Sequence, residues 1–281
     1  MSGSVAGTLY VVSTPIGNMG DFSFRAVDVL KSVSLILAED TRHTKGLLVR
    51  YEIATPMASY HQHNEAKMTP TVAARISAGE SIALVSDAGT PLLSDPGQRL
   101  VAACIDAGLP VVPVPGASAL LAALVASGID ATRFTFFGFL TRSGSERRVA
   151  LDEITALTHT AVLYESPNRL AATLGELEQR GNGDRRASVA REMTKQFEEV
   201  RRGTVGELRT YYEDNPPRGE IVVVLSGAIV RTPDESVVRA RVRALRASGL
   251  SSRDAATTVA SELGVSKRVA YRMAQDLGEA E

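Results

Sequence analysis

The chain has no tryptophan and one cysteine, Cys104, and aromatic residues make up only 5% of its 281 positions. A single cysteine cannot close an internal disulfide or build a cysteine-rich metal site. With so few rings, a large core must be aliphatic, as where helices cover a sheet. Net charge is nearly absent too, at −1 from 31 basic and 32 acidic residues. Any site for a polyanion must therefore be local. No segment approaches the ~18–20 continuous apolar residues of a membrane helix. The opening MSGSVAGT has neither the basic stretch nor the apolar run of a signal peptide. These absences place the protein in the cytoplasm, with no membrane partner. Two nucleotide signatures, G-x-G-x-x-G and G-x-x-x-x-G-K-[ST], are also missing, which weighs against nicotinamide and nucleoside-triphosphate chemistry.

What is present is ordinary for a globular protein, with 44% hydrophobic and 22% charged residues. The length suits two domains, or two and a small appendage, at roughly 100–200 residues each. The expected fold class is α/β. In the first half, short apolar strands alternate with helices: strands at 8–12, 35–38, 81–85 and 110–114, helices at 24–32, 71–78, 98–107 and from 119. Strands apolar on both faces imply a mainly parallel sheet buried between helices. Cys104 falls on an apolar helical stretch and reads as core. A second, more mixed α/β unit follows, with strands at 134–139, 160–164, 187–190 and 220–225 and helices at 149–157, 168–180 and 205–213. The boundaries expected are 1–118, 119–232 and 233–281.

The last segment differs in composition. Between Arg239 and Arg272 eight basic residues face only Asp254 and Glu262. Ser251 and Asp254 have capping-box spacing. Ala255, Val259, Ala260 and Leu263 form one apolar stripe, Gly264 breaks it, and Ser266 caps a second helix with Val269, Ala270, Met273 and Leu277 on its inner face. The pattern is helix–turn–helix. Arg253, Lys267, Arg268 and Arg272 are its candidate contacts to nucleic acid.

The loops at strand ends carry the candidate chemistry, because ligands of open α/β sheets collect beyond the strands' carboxyl ends. Ser86-Asp87-Ala88-Gly89-Thr90-Pro91 has small residues that admit a ligand to the backbone. Asp87 and Asp95 can accept from hydroxyl or ammonium groups. Ser13–Asn18 and Pro115–Ala119 are further small-residue loops. Glu39-Asp40-Thr41-Arg42-His43-Thr44 is six polar residues in succession, a set able to orient a substrate or move a proton. His61 and His63 stand two apart with no third ligand nearby, so no metal site is expected.

Taken in order, VSTPIGN, AEDTRHT, SYHQHNE, VSDAGTPLLSDPG, VPGASA, GFL, YESPNR, REMTKQFEE and RGEIVVV resemble the small-subunit ribosomal RNA methyltransferases of the tetrapyrrole-methylase superfamily. The resemblance covers about residues 8–225, and the tail resembles that family's C-terminal helix–turn–helix. It implies two α/β domains with S-adenosylmethionine in the cleft between them, held largely by backbone. It also implies 2′-O-methylation of a cytidine ribose in the decoding region of small-subunit rRNA, free or in the assembled 30S subunit, by a homodimer. Carried over, the cofactor contacts are Asp87, Ala88, Gly89, Pro91, Ser94, Pro115, Gly116, Ala117, Ser118 and Ala119, with Pro15 beneath. On the adenine side they are Tyr164, Glu165, Pro217 and Gly219. One departure is Asn168, where histidine is expected, so no imidazole acts there.

A ribose hydroxyl is a weak nucleophile and must surrender its proton by the transition state. Candidates to orient or deprotonate it are Asp40, Glu39 and Glu165, and Lys195 provided that burial lowers its pKa. Arg42, His43 and Arg169 are candidates for phosphate or base contacts. Two other readings compete: a corrin-precursor C-methyltransferase using the same cleft, and a non-catalytic nucleic-acid-binding regulator using the tail.

Overall fold

The computed structural model describes residues 6–228 and 234–276, which form two compact units. In the first unit, β1 (Leu9–Val12), β2 (Leu35–Ala38), β3 (Met57–Ser59), β4 (Ile82–Val85) and β5 (Val111–Val114) form a sheet in the order β3-β2-β4-β1-β5. All its pairings are parallel. Its crossovers are α1 (Phe24–Ser32), α2 (Thr41–Arg50), α3 (Glu65–Ser77) and α4 (Gln98–Asp106). The apolar strands are two-faced, as their sequence demands. Ile36 and Ala38 join Leu30 and Leu47 in one core, while Leu35 and Leu37 join Ile76, Leu100 and Cys104 in the other. Each such buried Leu or Ile stabilises the sheet by roughly 1.5–3 kcal/mol.

The second sheet has the order β6-β7-β10-β8-β9. It contains β6 (Phe134–Phe139), β7 (Thr160–Glu165), β8 (Arg186–Arg191), β9 (Glu199–Thr204) and β10 (Ile221–Leu225). Only β6 and β7 pair in parallel; β10 runs antiparallel to β7 and β8, and β9 to β8. The antiparallel pairing brings the ends of β7 and β8 and the start of β10 to the same edge, with Ile221 opposite both Glu165 and Arg191. Helix α5 (Ala119–Ser127) covers one face through Leu120, Ala123 and Leu124. The chain thus changes sheets at 115–118. Helices α6 (Ser145–Ala156), α7 (Leu170–Leu177) and α8 (Val205–Asp214) cover the other face.

Within this first unit three elements lie outside the sequence expectation. The polar string after β2 becomes a helix, α2, because Asp40 caps it by accepting from Arg42 N at 2.8 Å. Strand β3 is too short for its period to register. Strand β9 (EVRRGT) is polar on both faces, and its six-residue pairing with β8 defines it.

The second unit is three helices: α9 (Glu235–Ala247), α10 (Ser252–Leu263) and α11 (Lys267–Asp276). Ser251 caps α10 by accepting from Asp254 N, and Gly264 ends it in the left-handed conformation. Val238 and Val242 of α9 complete the core around Val259, Ala270 and Met273. The expected helix pair is present, with α9 as an added third helix; Leu277 lies outside the described residues. No helix among the described residues is long and apolar enough to cross a membrane.

Candidate active site

The strand order of the first sheet sets the loops after β2, β4, β1 and β5 side by side. Thr14 and Gly89 exchange backbone hydrogen bonds of 2.8 and 3.1 Å. Gly89 sits at φ +81°, where a side chain is strained. Thr90 Oγ1 donates to the carbonyl of Ala117 at 3.2 Å and so accepts from Ser13 Oγ at 2.9 Å. A Cβ on Gly116 would stand 2.9 Å from that of Ser13. These contacts make the loops one rigid floor. Leu92 and Ser94, beyond the Thr90 turn, both hold φ at +73°. Such non-glycine conformations cost energy and persist where surrounding structure imposes them.

Above the floor lies a cavity of about 460 Å³, within the usual range for small-molecule sites. Glu39, Asp87 and Asp95 line it together. Burial, then the charge of Glu39 and of Asp87, pushes the Asp95 carboxyl up to about 6. Burial and the nearby Asp87 raise Glu39 as well. Asp87 Oδ1 accepts from Asp40 N at 3.0 Å, tying the β4 loop to the β2 loop. Opposite stand Phe139 and Tyr164, ring centroids 5.3 Å apart, and the backbone of 219–222. Small residues (Ala88, Gly89, Ser94, Ser118, Ala119) complete the lining. A second recess of about 230 Å³ adjoins it, sharing Ile16, Asp87, Ala88 and Glu220.

Several expected site residues take other positions. The Asp40 carboxylate is engaged elsewhere: it caps α2 and grips the Arg42 guanidinium at 2.7–3.0 Å, which holds it far below the usual carboxylate range. Glu165 lines the cavity but is spent on structure. Its Oε1 accepts from Ser166 N and Arg169 Nε at 2.8 and 2.7 Å, and its Oε2 from Thr173 Oγ1 at 2.6 Å. Arg169 is thereby turned inward, and it also donates to the Leu140 carbonyl, so it does not offer its charge to a phosphate. The condition set for Lys195 fails. Burial lowers its pKa, but hydrogen bonds from Nζ to Glu192 (2.9 Å) and Glu220 (3.1 Å) outweigh burial, and the net shift is upward. Lys195 remains a cation.

Among the expected cofactor contacts, Asp87, Ala88, Gly89, Ser94, Ser118, Ala119, Tyr164, Glu165 and Gly219 line the larger cavity. Pro15 lines the adjoining recess instead. Pro91, Pro115, Gly116, Ala117 and Pro217 line neither. Phe139 was an omission: it stood in GFL, with nothing in the one-dimensional pattern to aim it at the cleft, whereas Asp95, read from its loop as a hydrogen-bond acceptor, does line the cavity. Arg42 and His43 project from the rim on α2, with the Arg42 side chain 90% exposed. Among the described residues no group of His, Cys, Asp and Glu is arranged to hold a metal ion.

In the helical unit the basic residues divide. Arg239 pairs with Glu235 and Asp276, and Arg241 with Glu262. Arg253, Lys267 and Arg268 line a recess with Tyr271, and no acidic partner meets them among the described residues. Arg272 is exposed nearby on α11.

Residues 8–209 match the sequence profile of the Tetrapyrrole (Corrin/Porphyrin) Methylases. A protein named ribosomal RNA small subunit methyltransferase I from Synechocystis sp. is 45% identical over 96% of this chain and 98% of its own. One of the same name from Bacillus subtilis is 42% identical over 94% and 93%. The fold is shared with uroporphyrin-III C-methyltransferase of Thermus thermophilus, solved with S-adenyl homocysteine, at a TM-score of 0.56 and 18% identity over 78% of this chain and 97% of that one.

Proposed function

We propose, from the premise that this chain belongs to the tetrapyrrole methylase family and within it to the ribosomal RNA small subunit methyltransferase I group, that it transfers a methyl group from S-adenosylmethionine to the 2′-oxygen of a cytidine in the decoding region of small-subunit rRNA. The observation that carries this reading is the 460 Å³ cavity, where the β1, β2, β4 and β5 loops meet the edge of the second sheet. Its residues fit the donor. Phe139 and Tyr164 offer ring faces to an adenine, the backbone of 219–222 offers hydrogen bonds, and Asp87 and Asp95 offer acceptors to hydroxyl and ammonium groups. The small residues of the floor leave the backbone approachable.

When bound, the donor supplies an electrophilic methyl group. Glu39 is the general base: it lies on the cavity wall with a raised pKa and no arginine to neutralise it, unlike Asp40. Asp87 fixes the β2 loop through Asp40 N and so positions Glu39. Lys195 acts as a cation that ties Glu192 to Glu220 at the cleft mouth. Arg42 and His43 at the rim, with Arg253, Lys267, Arg268 and Arg272 of the helical unit, contact the RNA backbone. The reading includes the cytoplasm and a homodimer, for which the outward Leu121 and Val125 of α5, 51% and 76% exposed, supply an apolar face.

The test is transfer of labelled methyl to small subunits, and to naked rRNA, from a strain lacking the enzyme, followed by mapping of the modified nucleotide. Glu39→Gln is expected to lower kcat by about 10²–10⁴ with donor affinity retained. Label on a corrin precursor and none on RNA would overturn the reading.

A further inference from the structure

The 230 Å³ recess beside the donor cavity contains an unsatisfied group. Thr44, on the second turn of α2, is only 2% exposed, lines the recess, and its Oγ1 has no hydrogen-bond partner among the described residues. A helical threonine ordinarily donates to the carbonyl four residues back. Thr69, Thr155, Thr210 and Thr257 all do so here, at 2.7 to 3.0 Å. For Thr44 that carbonyl is Asp40 O, which takes only the Thr44 backbone N–H, at 3.0 Å. A buried hydroxyl left without a partner is costly unless a ligand meets it.

The rest of the recess says what that ligand is. The two other buried hydroxyls on its wall are already committed, Thr14 Oγ1 to Ser86 O and Ser86 Oγ to Gly89 O, both at 3.1 Å. The aliphatic arm of Lys195 lies over Gly17, where a Cβ would stand 2.3 Å from Lys195 Cγ. The Lys195 charge is met by Glu192 and Glu220, and Asp87 adds a further carboxylate. The remaining basic side chain of the lining, His43, is exposed at the rim, so the interior of the recess has no excess cation to hold a phosphate and suits a neutral polyol. Because the recess shares Asp87 and Ala88 with the donor cavity, a sugar seated there lies next to the methyl donor.

We propose that this recess holds the acceptor ribose of the RNA and that the Thr44 hydroxyl hydrogen-bonds one of its oxygens. This rests on the RNA methyltransferase reading and deepens it by naming the acceptor subsite. The probe is the full-length protein with small subunits lacking the modification, and the variants are Thr44→Val and Thr44→Ser. Thr44→Val should raise KM for the subunit about 3- to 10-fold, the loss of one neutral hydrogen bond, and leave donor affinity unchanged by calorimetry. Its Tm should not fall, because the hydroxyl has no partner among the described residues. Thr44→Ser should restore KM. A wild-type KM in Thr44→Val overturns the subsite alone, as does a lowered Tm that Thr44→Ser fails to rescue. No methyl transfer to RNA by the unaltered protein overturns the underlying reading, and the subsite with it.

Discussion

Asp95→Asn should make the protein more stable, and only at the right pH. In the folded chain the Asp95 carboxyl titrates at about 6, against an ordinary value of 3.8. A gap of about two pKa units corresponds to at most ~3 kcal/mol. Asp95 is partly solvated, so about half of that, ~1–2 kcal/mol, is the reasonable expectation. The sign follows from proton linkage. Below pH ~4 the residue is protonated in both folded and unfolded chains and has no effect. Between about 4 and 6 the unfolded chain ionises first, so wild type loses stability as pH rises. Above about 6 the whole penalty is present, because Asp95 then carries its charge where burial strips it of water and, secondarily, Glu39 and Asp87 repel it. Asparagine keeps the shape and removes the charge. At pH 8 its Tm should exceed wild type by about 2–8 °C, at ~2–4 °C per kcal/mol for a domain this size. At pH 4 the two should coincide. Calorimetry across pH 4–8 on both proteins measures this. A gain that is the same at every pH, or a loss of stability at pH 8, would refute the account of a carboxyl raised by burial and by its acidic neighbours.

If Lys195 is a cation and not a base, Lys195→Arg should keep methyl transfer within several-fold and leave the pH–rate profile unmoved, while Lys195→Met, which strands Glu192 and Glu220, should lower it; complete loss in the arginine variant would reinstate a base. Glu165→Ala should shift the urea midpoint by the equivalent of about 3–5 kcal/mol, since it leaves Arg169 beside a vacated, fully buried carboxylate site; an unchanged midpoint would show the pair to be incidental. Neutralising Arg253, Lys267 and Arg268 should weaken RNA binding and make the slope of log affinity against log salt shallower by about one for each phosphate no longer neutralised. Unchanged salt dependence would remove that recess from the RNA surface.

Much of the framework follows from local rules. The two-faced strands β2 and β4 had to be buried between helices, and Ser251, Gly264 and the apolar stripe between them define α10 from the sequence alone. Helix α1 and strand β6 fall where their periodicity puts them, at Phe24–Ser32 and Phe134–Phe139. The polar strand β9 did not, because its stability comes from pairing with β8 and not from its own pattern.

The sequence by itself marked out the loops Asp87–Pro91, Glu39–Thr44 and their companions, whose small or charged residues packing does not require. What each side chain does there was a tertiary matter. Glu39 and Asp40 are adjacent and chemically alike, yet one faces the cavity with a raised pKa while the other caps a helix and grips Arg42. Asp95 is pushed up because the fold buries it and strand order brings it beside residues 8 and 56 positions away. Lys195 was conditional on burial, and its two carboxylate partners settled the direction against it. A pKa or an orphaned hydroxyl depends on what lies within a few ångströms in space, and those neighbours come from strands and helices far apart in the chain.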